Sequence, residues 1–384
     1  MNLVKKKIKT AKVIFISGLI LGLILCVTII FSFGGCGKPA IEEVSEKIEE
    51  PVDEVTTEEE EEEIGKEGEV EEIEEVSGAE ITGNINILSG LEISDSVKNY
   101  RPIAVMIENH TESRPQSGLH LADVVFEVVD EGGITRYVAV YSSYEAEIMA
   151  PIRSARQYYA EIARSFDPIY AFWGTYPECY PIIESMDMDV LDGNSEVLAY
   201  APSGWRDSSR HSSLEHTACM STVKLKEDAE NYGYSLEGGL SPFRFKLDSV
   251  QSDRGNISNI TVDFSTNQFK IDFEYDIDNN NYIKYLAGSP HKDRETGEQI
   301  TLNNVIVMIT DIANSGDAAG HMVVRTTQSG KAYYFLDGNV IEGTWERNSI
   351  FDPFTFKDDD GKIVLFNRGS TWVSIIPSID RLTY

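Results

Sequence analysis

Hydrophobic residues along this 384-residue chain fall into three regimes. Val13 to Phe33 is almost wholly apolar. Residues 37–92 set mostly single Val and Ile residues among glutamates. From Arg101 onward, apolar residues gather in short runs bounded by Gly, Pro, Asn and Asp. The first regime is long enough to span a bilayer. The second is too dilute to bury a core. The third is the pattern of a folded body.

Within the body, PIAVMIEN at 102–109 predicts a buried strand, and HTESRPQSGLHLA a turn-rich loop. DVVFEVVD, EGG and ITRYVAVYS predict a hairpin turning at Glu131 to Gly133. A helix is predicted from Ser154, an N-cap residue with Gln157 at the capping-box spacing. Tyr158, Tyr159, Ile162, Ala163 and Phe166 then fall near one face. A strand at 168–174, a short helix in PECYPIIESM and a helix over 221–233 stopped by Gly233 follow. This alternation gives an α/β (or α+β) N-terminal domain over 93–242. After Gly238 only strands are convincing, so residues 243–384 read as a mostly antiparallel β domain.

Charge sharpens the picture. The formal net charge is -31. Residues 1–40 carry six Lys and no acid, and residues 41–80 carry 20 acids against two Lys. An acidic body behind a very acidic, disordered tether (37–92) argues against nucleic acid partners, which need a basic surface. The basic MNLVKKKIKTAK, the apolar run and GGC at 34–36 form an export signal. Three readings fit residues 1–36: a lipobox with Cys36 lipidated, an uncleaved signal anchor, or a simple cleaved signal. Phe33 stands where a lipobox prefers Leu. In each reading the lysines stay inside and the body lies on the extracytoplasmic face of the cell membrane. An exported location permits a disulfide between Cys179 and Cys219 and leaves that pairing open.

Arginine usage is uneven. From Arg101 to Val223 there are eight arginines and no lysine, whereas from Lys224 onward there are seven Arg and nine Lys. A planar guanidinium grips carboxylate or phosphate in bidentate fashion, which lysine does not do. Arg153 and Arg156 stand at a helix start, where the dipole favours negative charge. Either a bound anion or a structural network with Glu108, Glu127, Asp130, Glu131, Asp167 and Asp207 compensates them. The anion reading nominates Arg114, Arg136, Arg153, Ser154, Arg156 and Arg210 as ligand-binding residues.

These same stretches carry a family likeness. RPIAVMIEN, SRPQSGLHLADVVFE, EGGITRYVAVY, PIRSARQYY, the WRDSSR…EHT loop and the closing GTW…NRGSTWVSIIP resemble the YerB-like lipoproteins of Gram-positive bacteria, a domain-of-unknown-function family. The resemblance covers roughly residues 95–384 and implies an exported, membrane-anchored protein with an N-terminal and a C-terminal unit. It implies no activity. Members have a proline and an asparagine around the loop histidine, where this chain has Glu215-His216-Thr217, which weakens any role for His216.

Candidate chemistry is sparse. GxSxG, HExxH, CxxC and the phosphate-binding glycine loops are absent. His211 and His216 are five apart, off the spacing of a helical metal pair, and DIDNNNYIKYLA lacks the glycine and glutamate of a calcium loop. No metal and no cofactor are therefore predicted. Glu131, Asp207 and His216 are the candidate acids or bases. The favoured expectation is a binding or accessory module at the cell envelope that recognises an anionic ligand or partner protein. The alternative is a metal-independent hydrolase or transferase acting on phosphate-containing or peptidyl wall material.

Overall fold

The computed structural model describes residues 78–93 and 100–384. The runs at 103–108 and 124–129 are buried at every position, because both of their faces are covered. Ala104, Met106, Val124, Phe126 and Val128 enter one core, while Ile103, Val105, Ile107 and Val125 enter another. Period-two alternation between two apolar layers reads in sequence as a continuous apolar run.

Among the described residues, ten strands form the central sheet. Five come from the N-terminal unit: β1 (Ile103–Glu108), β2 (Val124–Val129), β3 (Thr135–Tyr141), β4 (Ile169–Phe172) and β5 (Asp189–Asp192). Five come from the C-terminal unit: β6 (Asn304–Ile309), β7 (Gln328–Leu336), β8 (Asn339–Arg347), β9 (Thr355–Asp358) and β10 (Thr371–Ile376). Their order is β9-β8-β7-β6-β10-β2-β3-β1-β4-β5. The two units meet where β10 pairs in parallel with β2, from Val124↔Thr371 to Val128↔Ile375. β10 is also parallel to β6, and β3 is antiparallel to both β1 and β2. Strands β1, β2, β10 and β6 therefore run the same way, and their two ends make two distinct rims.

Helices α1 (Gln157–Arg164) and α2 (Cys179–Glu184) cover one face with Tyr158, Tyr159, Ile162, Tyr180 and Ile183. Helix α3 (Thr222–Tyr232) covers the other face through Leu225 and Ala229. A second, antiparallel sheet (Asn259–Asp263, Lys270–Asp276, Asn281–Leu286) packs Ile260, Val262, Ile271 and Phe273 into that same layer. The C-terminal unit is thus mostly antiparallel strand, as its short punctuated runs predict.

Two expectations need correction. The helix begins at Gln157 with Arg156 as its cap residue, and no side chain caps it. Ser154 instead donates its Oγ–H to the Trp173 carbonyl at 3.2 Å. The acidic stretch also stops short of residue 92. Ile81 N–H donates to the Phe245 carbonyl at 2.9 Å, and Leu88 is fully buried. The apolar INILSGL explains this, since it has enough hydrophobic surface to pack on the body.

The signal, anchor and Cys36 readings lie outside the described residues. Among the described residues no helix is long and apolar enough to cross a membrane. Cys179 and Cys219 are both buried free thiols.

Candidate functional site

The arginines singled out by sequence do not converge on one cavity. Arg136 and Arg156 lie together, but two acids from the β2–β3 turn occupy them. Arg136 Nε is 2.7 Å from Asp130 Oδ2, and its Nη1 donates to the Ser154 carbonyl. Arg156 forks onto Glu131, with Nε 2.5 Å from Oε1 and Nη2 3.0 Å from Oε2. Arg114 donates to the side chain and carbonyl of Asn109 and stacks on Phe269. Arg210 pairs with Glu295 at 3.1 Å. The opposing dipole is compensated by internal acids, the structural answer of the two that the sequence allows.

Two of the three acid–base candidates are also held for structure. Burial pushes the Glu131 carboxyl up. The hydrogen bond from Arg156 and the charges of Arg156 and Arg136 outweigh this and bring it to about 2. Such a carboxyl stays ionised at neutral pH and transfers no proton there. Asp207 accepts from the N–H and Oγ–H of Ser209, which holds it below the usual carboxylate range and closes its loop.

His216 is different. Strand β1 ends at Glu108, whose side chain is buried. Glu108 Oε2 lies 2.8 Å from His216 Nδ1, and Glu108 Oε1 lies 3.2 Å from Arg153 Nε. With Nδ1–H donated to that carboxylate, the lone pair of His216 sits on Nε2. Nε2 faces Glu112 Oε2 at 3.7 Å and Glu215 Oε1 at 3.8 Å. Arg153 also reaches Glu215, with Nη2 2.9 Å from Oε2.

Local turns build the rest of the wall. His110 Nδ1 accepts from the Glu112 N–H, and Ser113 N–H returns to the His110 carbonyl, making a one-turn 3-10 segment. The His110 ring stacks on His216 with centroids 5.1 Å apart. His211 Nδ1 accepts from the Ser213 N–H, and its ring meets His216 edge-on at 4.8 Å. Arg206 donates to the Leu214 carbonyl and pins the same loop. Ligand atoms of His110, Glu112 and His216 all lie within 4.8 Å of one another. Two imidazoles and a carboxylate make a donor set suited to a borderline divalent ion such as zinc. The buried Glu108 behind His216 is the carboxylate–histidine support that such ligands use.

The site therefore joins Arg153 and His216, both nominated by sequence, with His110 and Glu112, which were not. The missed signal is His110-Thr111-Glu112 directly after a strand. Its partner histidine lies about a hundred residues away, so no local spacing pairs them.

Residues 88–235 match the family described as "Protein of unknown function (DUF3048) N-terminal domain", and residues 260–373 match its C-terminal domain. The chain is 32% identical over 297 residues to "Putative lipoprotein YerB" of Bacillus subtilis (strain 168), covering 76% of this chain and 86% of that protein. The crystal structure of YerB from Bacillus subtilis superposes with a TM-score of 0.69 at 30% identity, covering 78% of this chain and 98% of that one.

Proposed function

Because the chain belongs to the DUF3048 family, whose Bacillus subtilis relative bears a lipoprotein name, we propose that it is a membrane-anchored lipoprotein of the cell envelope that binds a divalent metal ion through His110, Glu112 and His216. Cys36 is the anchor in this reading, and the acidic segment spaces the body from the membrane. The binding-module expectation is kept, but histidine and glutamate replace the arginine cluster as the recognition element. Arg153, paired with Glu108 and Glu215, braces the carboxylates around the site. The observation that carries the reading is the Glu108–His216 contact at 2.8 Å. It fixes a buried imidazole with its free nitrogen toward two further donors.

The purified full chain in detergent, stripped with chelator and then exposed to Zn²⁺, Ni²⁺ or Mn²⁺, tests this by metal analysis after dialysis. One ion per chain is expected. His110→Ala and Glu112→Gln, both away from the buried core, should each weaken retention at least tenfold. Loss of all retention in the unmodified protein, or equal retention in both variants, overturns the reading.

A catalytic role has one observation in its favour: Glu215 Oε1 stands 3.8 Å from His216 Nε2, so a carboxylate that could accept a proton lies beside the residues that would hold a metal ion. The metal-independent alternative has less support, because Glu131 and Asp207 are both held in structural contacts.

A further inference from the structure

The opposite rim of the sheet carries a second cavity, of about 520 Å³. It lies where β2, β6 and β10 begin. Its walls include His120 and Asp123 before β2, Asn303 before β6, and Arg368 and Ser370 before β10. We propose that this cavity binds a small anionic polyol, with Arg368 and His120 on the anionic group and Asp123, Asn303 and Ser370 on the hydroxyls.

Arg368 is the first reason. Every other arginine among the described residues makes an ion pair or a hydrogen bond, and Arg368 makes neither. Its neighbours explain why it is held there. Gly369 has φ +114, and a Cβ on it would lie 1.9 Å from Asn303 Oδ1. Gly369 N–H donates to the Ser89 carbonyl at 2.7 Å, and Ser370 N–H donates to Asn303 Oδ1 at 3.1 Å. The backbone on the C-terminal side of Arg368 is thus clamped from two sides while its guanidinium is left over. Asn303 uses its Oδ1 in that clamp, so its NH₂ remains to donate.

His120 is the second donor. Its Nδ1 lies 2.9 Å from Asp293 Oδ2, and that hydrogen bond, outweighing burial, raises its pKa. Asp123 and Asp248 also line the cavity, so a bare anion is a poor match for it. Asp123 Oδ2 accepts from the N–H groups of Ser142 and Ser143. A guanidinium and an imidazole with acceptors close by fit a molecule that has one anionic group and several hydroxyls. A volume of about 520 Å³ is within the ordinary range for small-molecule sites.

Calorimetric titration of the full chain in detergent, with chelator present so that any metal site is silent, tests the inference. The probes are glycerol 3-phosphate, glucuronate, inorganic phosphate and glucose. Glycerol 3-phosphate or glucuronate should bind, the two distinguishing a phosphate from a carboxylate as the anionic group. Inorganic phosphate and glucose should each bind at least tenfold more weakly. Arg368→Gln, at a partly exposed position, should lower the affinity tenfold or more, and Arg368→Lys should restore part of it. No binding of either anionic polyol overturns the inference. So does equal binding of glucose or phosphate, or unchanged affinity in Arg368→Gln.

Discussion

Arg156 places two of its nitrogens on one carboxylate, Glu131, while Arg136 grips the neighbouring Asp130. Asp130 is 1% exposed. Removing Arg136 strips that buried carboxylate of its nearest cation, so Arg136→Ala should cost about 3–5 kcal/mol, read from urea unfolding. The pH dependence has a definite sign. Glu131 is held at about 2, below its ordinary value of 4.5. Its contribution to stability is therefore complete above about pH 4.5 and is lost as pH falls toward 2. Asp130 is pushed the other way by burial and takes up its proton first. Glu131→Gln should flatten the acid limb of a denaturation-midpoint profile between pH 5 and pH 2; an unchanged limb would show that other carboxyls control it. At this scale the sequence was half legible. Guanidinium-rich loops beside acids could be read, because residue type alone signals fork-like pairing. Which partner each arginine takes could not, because Glu215 and Glu295 reach Arg153 and Arg210 from 62 and 85 residues away.

Elements were easier to read where one signal dominates. Helix α3 ends at Gly233 as its sequence predicts, in the left-handed region at φ 78. Nothing lies within 4 Å of where a Cβ would stand, so crowding plays no part. Gly233→Ala should therefore cost about 1 kcal/mol from backbone conformation alone, and Gly233→Asn should cost less. Equal unfolding midpoints for the alanine variant and the parent would contradict this. Helix α1 was harder to place. Ser154 and Gln157 have the spacing of a capping box, but the chain stays extended through Arg156 because Ala155 N–H donates to the Gly174 carbonyl. A tertiary hydrogen bond displaced a local one, and spacing alone cannot reveal that. The buried thiols follow the same logic. Both should resist an alkylating reagent in the native state and react fully in denaturant.

At the scale of the whole molecule, the family's two units build one sheet. The border pairing, β2 with β10, buries Trp372 and Val373 in opposite layers. No local pattern shows this, since the two strands are separated by some 240 residues of sequence. A fragment ending near residue 242 would leave β2 with a bare edge. It should aggregate when made alone, and it should be rescued by co-production of the remaining residues, as seen by size-exclusion chromatography. A soluble, cooperatively unfolding fragment would contradict this account.

The position of β10 also bears on biosynthesis. The strand that closes the middle of the sheet follows all nine of its sheet companions in chain order, so it emerges from the ribosome after them. Until then the nascent polypeptide has a slot between its two halves. Termination before Thr371 would yield a product that a protease can recognise as unfinished.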